Sequence, residues 1–73
     1  MPELRGFSGL SVIKILQRMG FDWTRTKGSH AVMRRGARVC VVPLHNEIAV
    51  GTLRGLLRQA DVSDEEFLRN ARS

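Results

Sequence analysis

The sequence has few of the residues from which metal and disulfide sites are built. Among its 73 residues it has one cysteine, two histidines and no tyrosine. One cysteine excludes an internal disulfide, and together with two histidines it cannot complete an ordinary four-ligand zinc site. A chain of this size has a thin core and no room for a deep cofactor pocket. We therefore predict no metal and no other cofactor, and we assign Cys40, which lies in an apolar run, to the core.

Long hydrophobic runs are absent as well. The N-terminal residues lack the apolar stretch of a signal peptide, and no segment approaches the roughly 20 apolar residues of a membrane span. We therefore expect a single soluble domain over residues 1–73 that is cytoplasmic and has no membrane partner.

Acidic residues are scarce in most of the chain. Ten basic and three acidic residues precede Asp61, whereas two basic and four acidic residues lie from Asp61 onward. Most of the cations are arginine, which makes two-pronged contacts with phosphate oxygens. A basic body with an acidic end indicates a polyanionic partner, and we favour nucleic acid over a charged surface kept for solubility.

The hydrophobic periodicity predicts three helices. Ser8 is suited to cap a first helix that ends at Gly20, and a second helix is expected to start near Gly51 or Thr52. Ser63 and Glu66 have the spacing of a capping box and predict a short third helix. The first two helices follow the spacing i, i+3, i+4, i+7, at Val12, Ile15, Leu16 and Met19 and at Leu53, Leu56, Leu57 and Ala60.

Between the first two helices the pattern changes to that of strands. We predict strands over residues 21–27, 30–34 and 38–42, with turns at residues 28–29 and 35–37. Gly28 at the first position of a two-residue loop is typical of a type II′ hairpin turn. The predicted order is α-β-β-β-α-α, an α+β fold with a three-stranded antiparallel sheet and the helices on one face.

Histidine is the best candidate for chemistry in this chain. Cleavage of RNA needs a base, an acid and cations, but no metal, because the 2′-hydroxyl is the nucleophile. His30 follows the predicted turn, and in a regular hairpin it lies opposite Lys27, with Arg25 and Arg34 on the same face. We predict that His30 is catalytic and that RNA is bound by Arg25, Lys27, Gly28, Ser29, Arg34, Arg35 and Arg38.

Two further residues have alternative interpretations. His45, in the loop after the third strand, is either a second proton-transfer group or a histidine that hydrogen-bonds to backbone, and we favour the second. Trp23 either stacks on a base or fills the core, and we favour the core. The second proton-transfer group is therefore not assigned from the sequence.

Five short motifs in order resemble the HicA toxin family of bacterial and archaeal toxin–antitoxin pairs. The resemblance runs from about Leu10 to Phe67 and departs from the family at Met33, where members often have an aromatic residue. The motifs are Met19-Gly20-Phe21, Lys27-Gly28-Ser29-His30, Val42-Pro43-Leu44-His45, Gly51-Thr52-Leu53-Arg54 and Asp64-Glu65-Glu66-Phe67.

The resemblance implies a fold like that of the double-stranded-RNA-binding domain. It also implies an endoribonuclease that cleaves mRNA without a metal and depends on the histidine of the Gly-Ser-His motif, which is His30 here. The implied partner is a HicB-type antitoxin that binds the toxin and covers its active site. We expect the free toxin to be a monomer.

Two other functions fit the same residues. One is a module that binds structured RNA without cutting it, because such RNA is recognised by shape and backbone contact. The other is a degenerate toxin kept only to bind its antitoxin. His30 on a tight turn favours the ribonuclease, since Lys or Arg at that position would serve a pure binder better.

Overall fold

The computed structural model describes residues 3–72, and its elements follow the predicted order of one helix, three strands and two helices. The strands and α2 differ from the prediction only at their ends: α2 begins one residue before Gly51, β1 begins one residue later than predicted, and β2 and β3 each extend one residue further. The elements are α1 Gly9–Arg18, β1 Asp22–Lys27, β2 His30–Arg35, β3 Arg38–Pro43, α2 Val50–Gln59 and α3 Asp64–Ala71.

Helices α1 and α3 begin at the caps that the sequence indicates, and α1 and α2 bury their apolar stripes. The side chain of Ser8 accepts a hydrogen bond from the Ser11 N–H, and that of Ser63 accepts one from the Glu66 N–H. Val12 and Leu16 of α1 and Leu53 and Leu57 of α2 are fully buried. In the part of the chain that is described, none of the helices is long and apolar enough to cross a membrane.

The three strands form an antiparallel sheet in the order β1-β2-β3, joined by two tight turns. Gly28 has φ +60° and Gly36 has φ +61°, whereas Ser29 and Ala37, which follow them, do not have a positive φ. A positive φ at the first loop position alone is the mark of a type II′ turn, whose twist matches that of the strands. The turn predicted at Gly28 and Ser29 is therefore confirmed.

The sheet has one covered face and one open face. Ala31 and Met33 of β2 and Cys40 and Val42 of β3 are buried in the core that the sheet shares with the helices, which confirms the predicted position of Cys40. Side chains alternate along a strand, so the residues between them point away from the helices. We call this side the open face; it has Asp22, Arg25, Lys27, His30, Val32, Arg34, Val39 and Val41, whereas Pro43, the partner of His30, is buried at its end.

Trp23 is not a core residue, and that interpretation is wrong. All six residues of β1, an edge strand, are exposed, and Trp23 itself is 40% exposed. Its indole N–H donates a 2.8 Å hydrogen bond to the Thr26 hydroxyl. Phe21, just before the strand, takes the core position instead and is buried.

Candidate active site

The first hairpin places His30 directly opposite Lys27. The two residues are the last cross-strand pair before the turn at Gly28 and Ser29, so their side chains lie on the same face of the sheet. His30 is exposed, and its imidazole makes no hydrogen bond or ion pair with any residue of the range 3–72. The imidazole is thus available to a molecule bound at the open face.

A β-bulge in β1 decides which side chains share the open face with His30. The register shifts between Trp23 and Arg25, with Thr24 as the extra residue, and the Thr24 hydroxyl donates to the Val32 carbonyl oxygen. Arg25 lies on the turn side of the bulge, keeps the simple alternation with Lys27 and pairs with Val32. Trp23, on the far side, is turned to the other face.

Three cations share the open face with His30 and form no ion pair within residues 3–72: Lys27 directly opposite it, Arg25 one pair further along β1 on this face, and Arg34 at the far end of β2. Arg25, Lys27 and Arg34 form none of the ion pairs found among the described residues, and Arg34 donates one hydrogen bond to the Gly36 carbonyl oxygen. Asp22 is the cross-strand neighbour of Arg34 and carries the opposite charge. Positive charge therefore predominates around the exposed imidazole, which is what binding of a phosphodiester requires.

Arg35 and Arg38, predicted to bind RNA, lie on the other face of the sheet. The Arg35 guanidinium donates a 2.6 Å hydrogen bond to the Met19 carbonyl oxygen and lies 4.7 Å from the centre of the Phe21 ring. Arg38 forms a 3.2 Å ion pair with Asp61. Arg35 thus links the sheet to the end of α1, Arg38 pairs with an acidic residue after α2, and both lie on the face of the sheet opposite His30.

The loop that contains His45 lies at the same end of the sheet as His30. The Leu44 N–H donates a 2.7 Å hydrogen bond to the Ser29 carbonyl oxygen, and the Gly9 N–H donates one of 2.9 Å to the His45 carbonyl oxygen. The His45 side chain is exposed, and within residues 3–72 its imidazole has no hydrogen-bond partner. The hydrogen bond from this imidazole to backbone, favoured from the sequence, is therefore not formed.

No metal-binding cluster is found in the described part of the chain, where three or more His, Cys, Asp or Glu side chains nowhere converge. The site has instead an imidazole, an ammonium and two guanidinium groups on an exposed surface. Such groups can move a proton and bind an anion.

Comparison with known proteins identifies the family. No curated protein is significantly similar to the chain. The family model described as the HicA toxin of bacterial toxin–antitoxin systems matches residues 11–62, which include both hairpins, His30, His45 and α2. Membership of such a family implies a cognate antitoxin as partner. The chain belongs to the HicA toxin family.

Proposed function

We propose that this toxin is an endoribonuclease that cleaves mRNA with His30 as its catalytic group. The observation that carries the proposal is the exposed, hydrogen-bond-free imidazole of His30 directly across from Lys27, with Arg25 and Arg34 on the same face. The toxin family is consistent with this activity, since destruction of mRNA stops growth.

The chemistry uses the nucleophile that RNA already carries. The 2′-hydroxyl loses its proton and attacks the adjacent phosphorus, the bond to the 5′-oxygen breaks, and that oxygen takes up a proton. The products are a 2′,3′-cyclic phosphate and a 5′-hydroxyl. The His30 imidazole transfers a proton at one of these oxygens, while Arg25 and Lys27 stabilise the charge on the phosphorane. This mechanism has no step that needs a metal ion.

The same surface accounts for binding of the substrate and of the antitoxin. The RNA backbone is contacted by Arg25, Lys27 and Arg34, and the turn at Gly28 and Ser29 lets the RNA strand approach closely. We propose that the antitoxin covers the open face of a monomeric toxin in the cytoplasm, so that it blocks access to His30.

Substitution of His30 tests the proposal. We expect His30→Ala to lower the cleavage rate by about 10²–10⁴, the usual contribution of a proton-transfer group. Its free energy of unfolding should change by at most about 0.5 kcal/mol, because the side chain is exposed and has no partner in the described chain. RNA affinity should be largely retained, since the three cations remain. Cleavage of a labelled RNA, thermal unfolding and RNA binding are measured on the same preparations.

The other functions are distinguished in the same experiments. Undiminished cutting by folded His30→Ala contradicts the role of His30. If the wild type binds structured RNA and never cuts it, the protein is a binding module. Loss of activity in a chelator contradicts the metal-free mechanism, and induced expression that does not slow growth supports a chain kept only for antitoxin binding.

A further inference from the structure

We propose that His45 is the second proton-transfer group of the site, acting on the bridging oxygen that His30 does not serve. The inference rests on the proposed ribonuclease function and goes beyond it, because neither the family nor the sequence pattern assigns the second group. It depends on where the fold places the loop after β3.

The reaction needs two proton-transfer groups on opposite sides of one phosphate. The attacking 2′-oxygen and the departing 5′-oxygen lie roughly in line through phosphorus. A group must be within hydrogen-bond reach of the oxygen it serves, so one imidazole cannot serve both oxygens at once. His30 and His45 are the only imidazoles in the sequence, which has no tyrosine, and histidine is the side chain that ordinarily exchanges protons near neutral pH.

The hydrogen bonds of the sheet bring the two histidines together. His30 is paired with Pro43, and the Leu44 N–H continues this contact by donating to the Ser29 carbonyl oxygen. Cross-strand Cα atoms are about 5 Å apart, and two residues of extended chain span about 7 Å. Leu44 and His45 follow the end of β3, so the sum of these two lengths gives an upper limit of about 12 Å between the Cα atoms of His30 and His45. Two imidazole side chains can flank one phosphate across such a distance.

The His45 loop is held on both sides while its imidazole stays exposed. The His45 carbonyl oxygen accepts from the Gly9 N–H at the start of α1, and the Ile48 N–H donates to the Phe7 carbonyl oxygen at 2.8 Å. Ile48 is 1% exposed and anchors the end of the loop in the core. The turn at Ser29, the start of α1 and the segment at Phe7 therefore position the backbone around His45. None of these contacts uses the His45 side chain.

The proton balance follows from this arrangement. One neutral imidazole takes the proton of the 2′-hydroxyl as the bond from the 2′-oxygen to phosphorus forms. The other imidazole, protonated, gives its proton to the 5′-oxygen as the bond from phosphorus to that oxygen breaks. The two side chains exchange protonation states in each turnover and return to the starting state by exchange with water.

Two substrates and three variants test the inference. His45→Ala, His30→Ala and the control Asn46→Ala, which alters an exposed neighbour in the same loop, are compared with the wild type. One substrate is an RNA dinucleotide. The other is uridine 3′-(4-nitrophenyl phosphate), whose nitrophenolate leaves without being protonated. Each reaction is repeated with added imidazole, and thermal unfolding and RNA affinity confirm that the variants are folded.

We expect His45→Ala to cut the dinucleotide about 10²–10⁴ times more slowly than the wild type and Asn46→Ala to cut it normally. The activity of His45→Ala should then recover on the nitrophenyl ester if His45 is the acid, or with added imidazole if it is the base. Neither the nitrophenyl ester nor added imidazole restores activity that is lost because the loop is displaced.

A wild-type rate for His45→Ala, or a deficit that neither treatment relieves, overturns the inference. If His30→Ala is inactive and His45→Ala is normal, only the role of His45 fails. If both variants cut normally, the role of His45 and the proposed ribonuclease mechanism both fail.

Discussion

At the scale of single residues, Gly9 has the most demanding position. A Cβ atom at Gly9 would overlap the Pro43 carbonyl oxygen and lie 2.9 Å from the Leu44 Cα atom. These are backbone atoms, which cannot move aside as a flexible side chain can. The absence of a side chain at Gly9 therefore allows α1 to pack against the end of β3, and this packing in turn holds the His45 loop.

We predict that Gly9→Ala lowers the free energy of unfolding by about 1–3 kcal/mol, the usual cost of forcing extra atoms into a packed site. Gly55→Ala is the control, because a Cβ atom at that position in α2 meets nothing within 4 Å. Removal of a helical glycine should stabilise the protein by about 0.5–1 kcal/mol. Urea unfolding measures both, and equal effects of the two variants contradict the close packing at Gly9.

Cys40 illustrates what burial does to a titratable group. Burial raises the pKa of the Cys40 thiol from 9.0 to about 11, since the buried site disfavours the thiolate. The unfolded chain therefore loses this proton before the folded chain does. The contribution of the protonated thiol to the free energy of unfolding is complete below pH 9. This contribution falls as the pH rises from 9 toward 11.

We predict that the Cys40 thiol makes the free energy of unfolding about 1.4 kcal/mol lower at pH 10 than at pH 8. The conversion is about 1.4 kcal/mol for each unit of pKa shift. The same difference between pH 8 and pH 10 is measured for Cys40→Ala and subtracted, which removes the contributions of other titrating groups. A thiol reagent at pH 8 should react with the wild type only as it unfolds. Immediate reaction of the native protein would contradict the burial of Cys40.

At the scale of elements, strand alternation separates two consecutive arginines. Arg34 points to the open face, whereas Arg35 points to the helices and contacts Met19 and Phe21. In sequence they are neighbours in one basic turn, both are predicted to bind RNA, and only alternation from His30 separates them. The face that each occupies follows from the register of β2, which places Ala31 and Met33 in the core.

We predict that Arg35→Ala affects stability and that Arg34→Ala affects RNA binding. Arg35→Ala should lower the free energy of unfolding by about 1.5–3 kcal/mol, since it removes a charged hydrogen bond and a contact with an aromatic ring. Arg34→Ala should leave stability within about 0.5 kcal/mol and weaken RNA binding. Urea unfolding and RNA titrations distinguish them. Weaker RNA binding by Arg35→Ala alone would mean that RNA binds the other face.

The bulge at Thr24 is an element that the sequence does not reveal. Simple alternation from Lys27 places Trp23 on the open face, and the bulge turns it away. A bulge is an extra residue in one strand relative to its partner, so it exists only once two strands are paired. For the same reason the exposure of Trp23 depends on β1 being the sheet edge, which its aromatic and β-branched composition does not indicate.

At the scale of the whole molecule, the acidic residues after α2 form ion pairs away from the open face. Asp61 pairs with Arg38 and Asp64 pairs with Arg54, so acidic residues after α2 neutralise arginines on the helical side. Exposed pairs of this kind add little stability. On the open face, by contrast, Arg25, Lys27 and Arg34 form no ion pair with any described residue. The described acidic residues that follow α2 thus leave these three cations unpaired.

We predict that this asymmetry appears in the salt dependence of RNA binding. Removal of one cation that binds a phosphate reduces the slope of log affinity against log salt by about 0.7 for single-stranded RNA. Lys27→Gln, on the open face, should reduce the slope by about that amount. Lys14→Gln, at an exposed position of α1, is the matched control and should leave the slope unchanged. Equal effects of the two lysines would contradict RNA binding at the open face.

The sequence by itself determined the order of helices and strands, the caps at Ser8 and Ser63, the turn at Gly28 and the pairing of Lys27 with His30. These depend on residues close in the chain, whose periodicity and backbone preferences act locally. Only the tertiary structure decided the partners of Arg35 and Arg38, the bulge and exposure of Trp23, and the position of His45 beside the hairpin. Each of these depends on register and packing between distant segments, which local preferences do not specify.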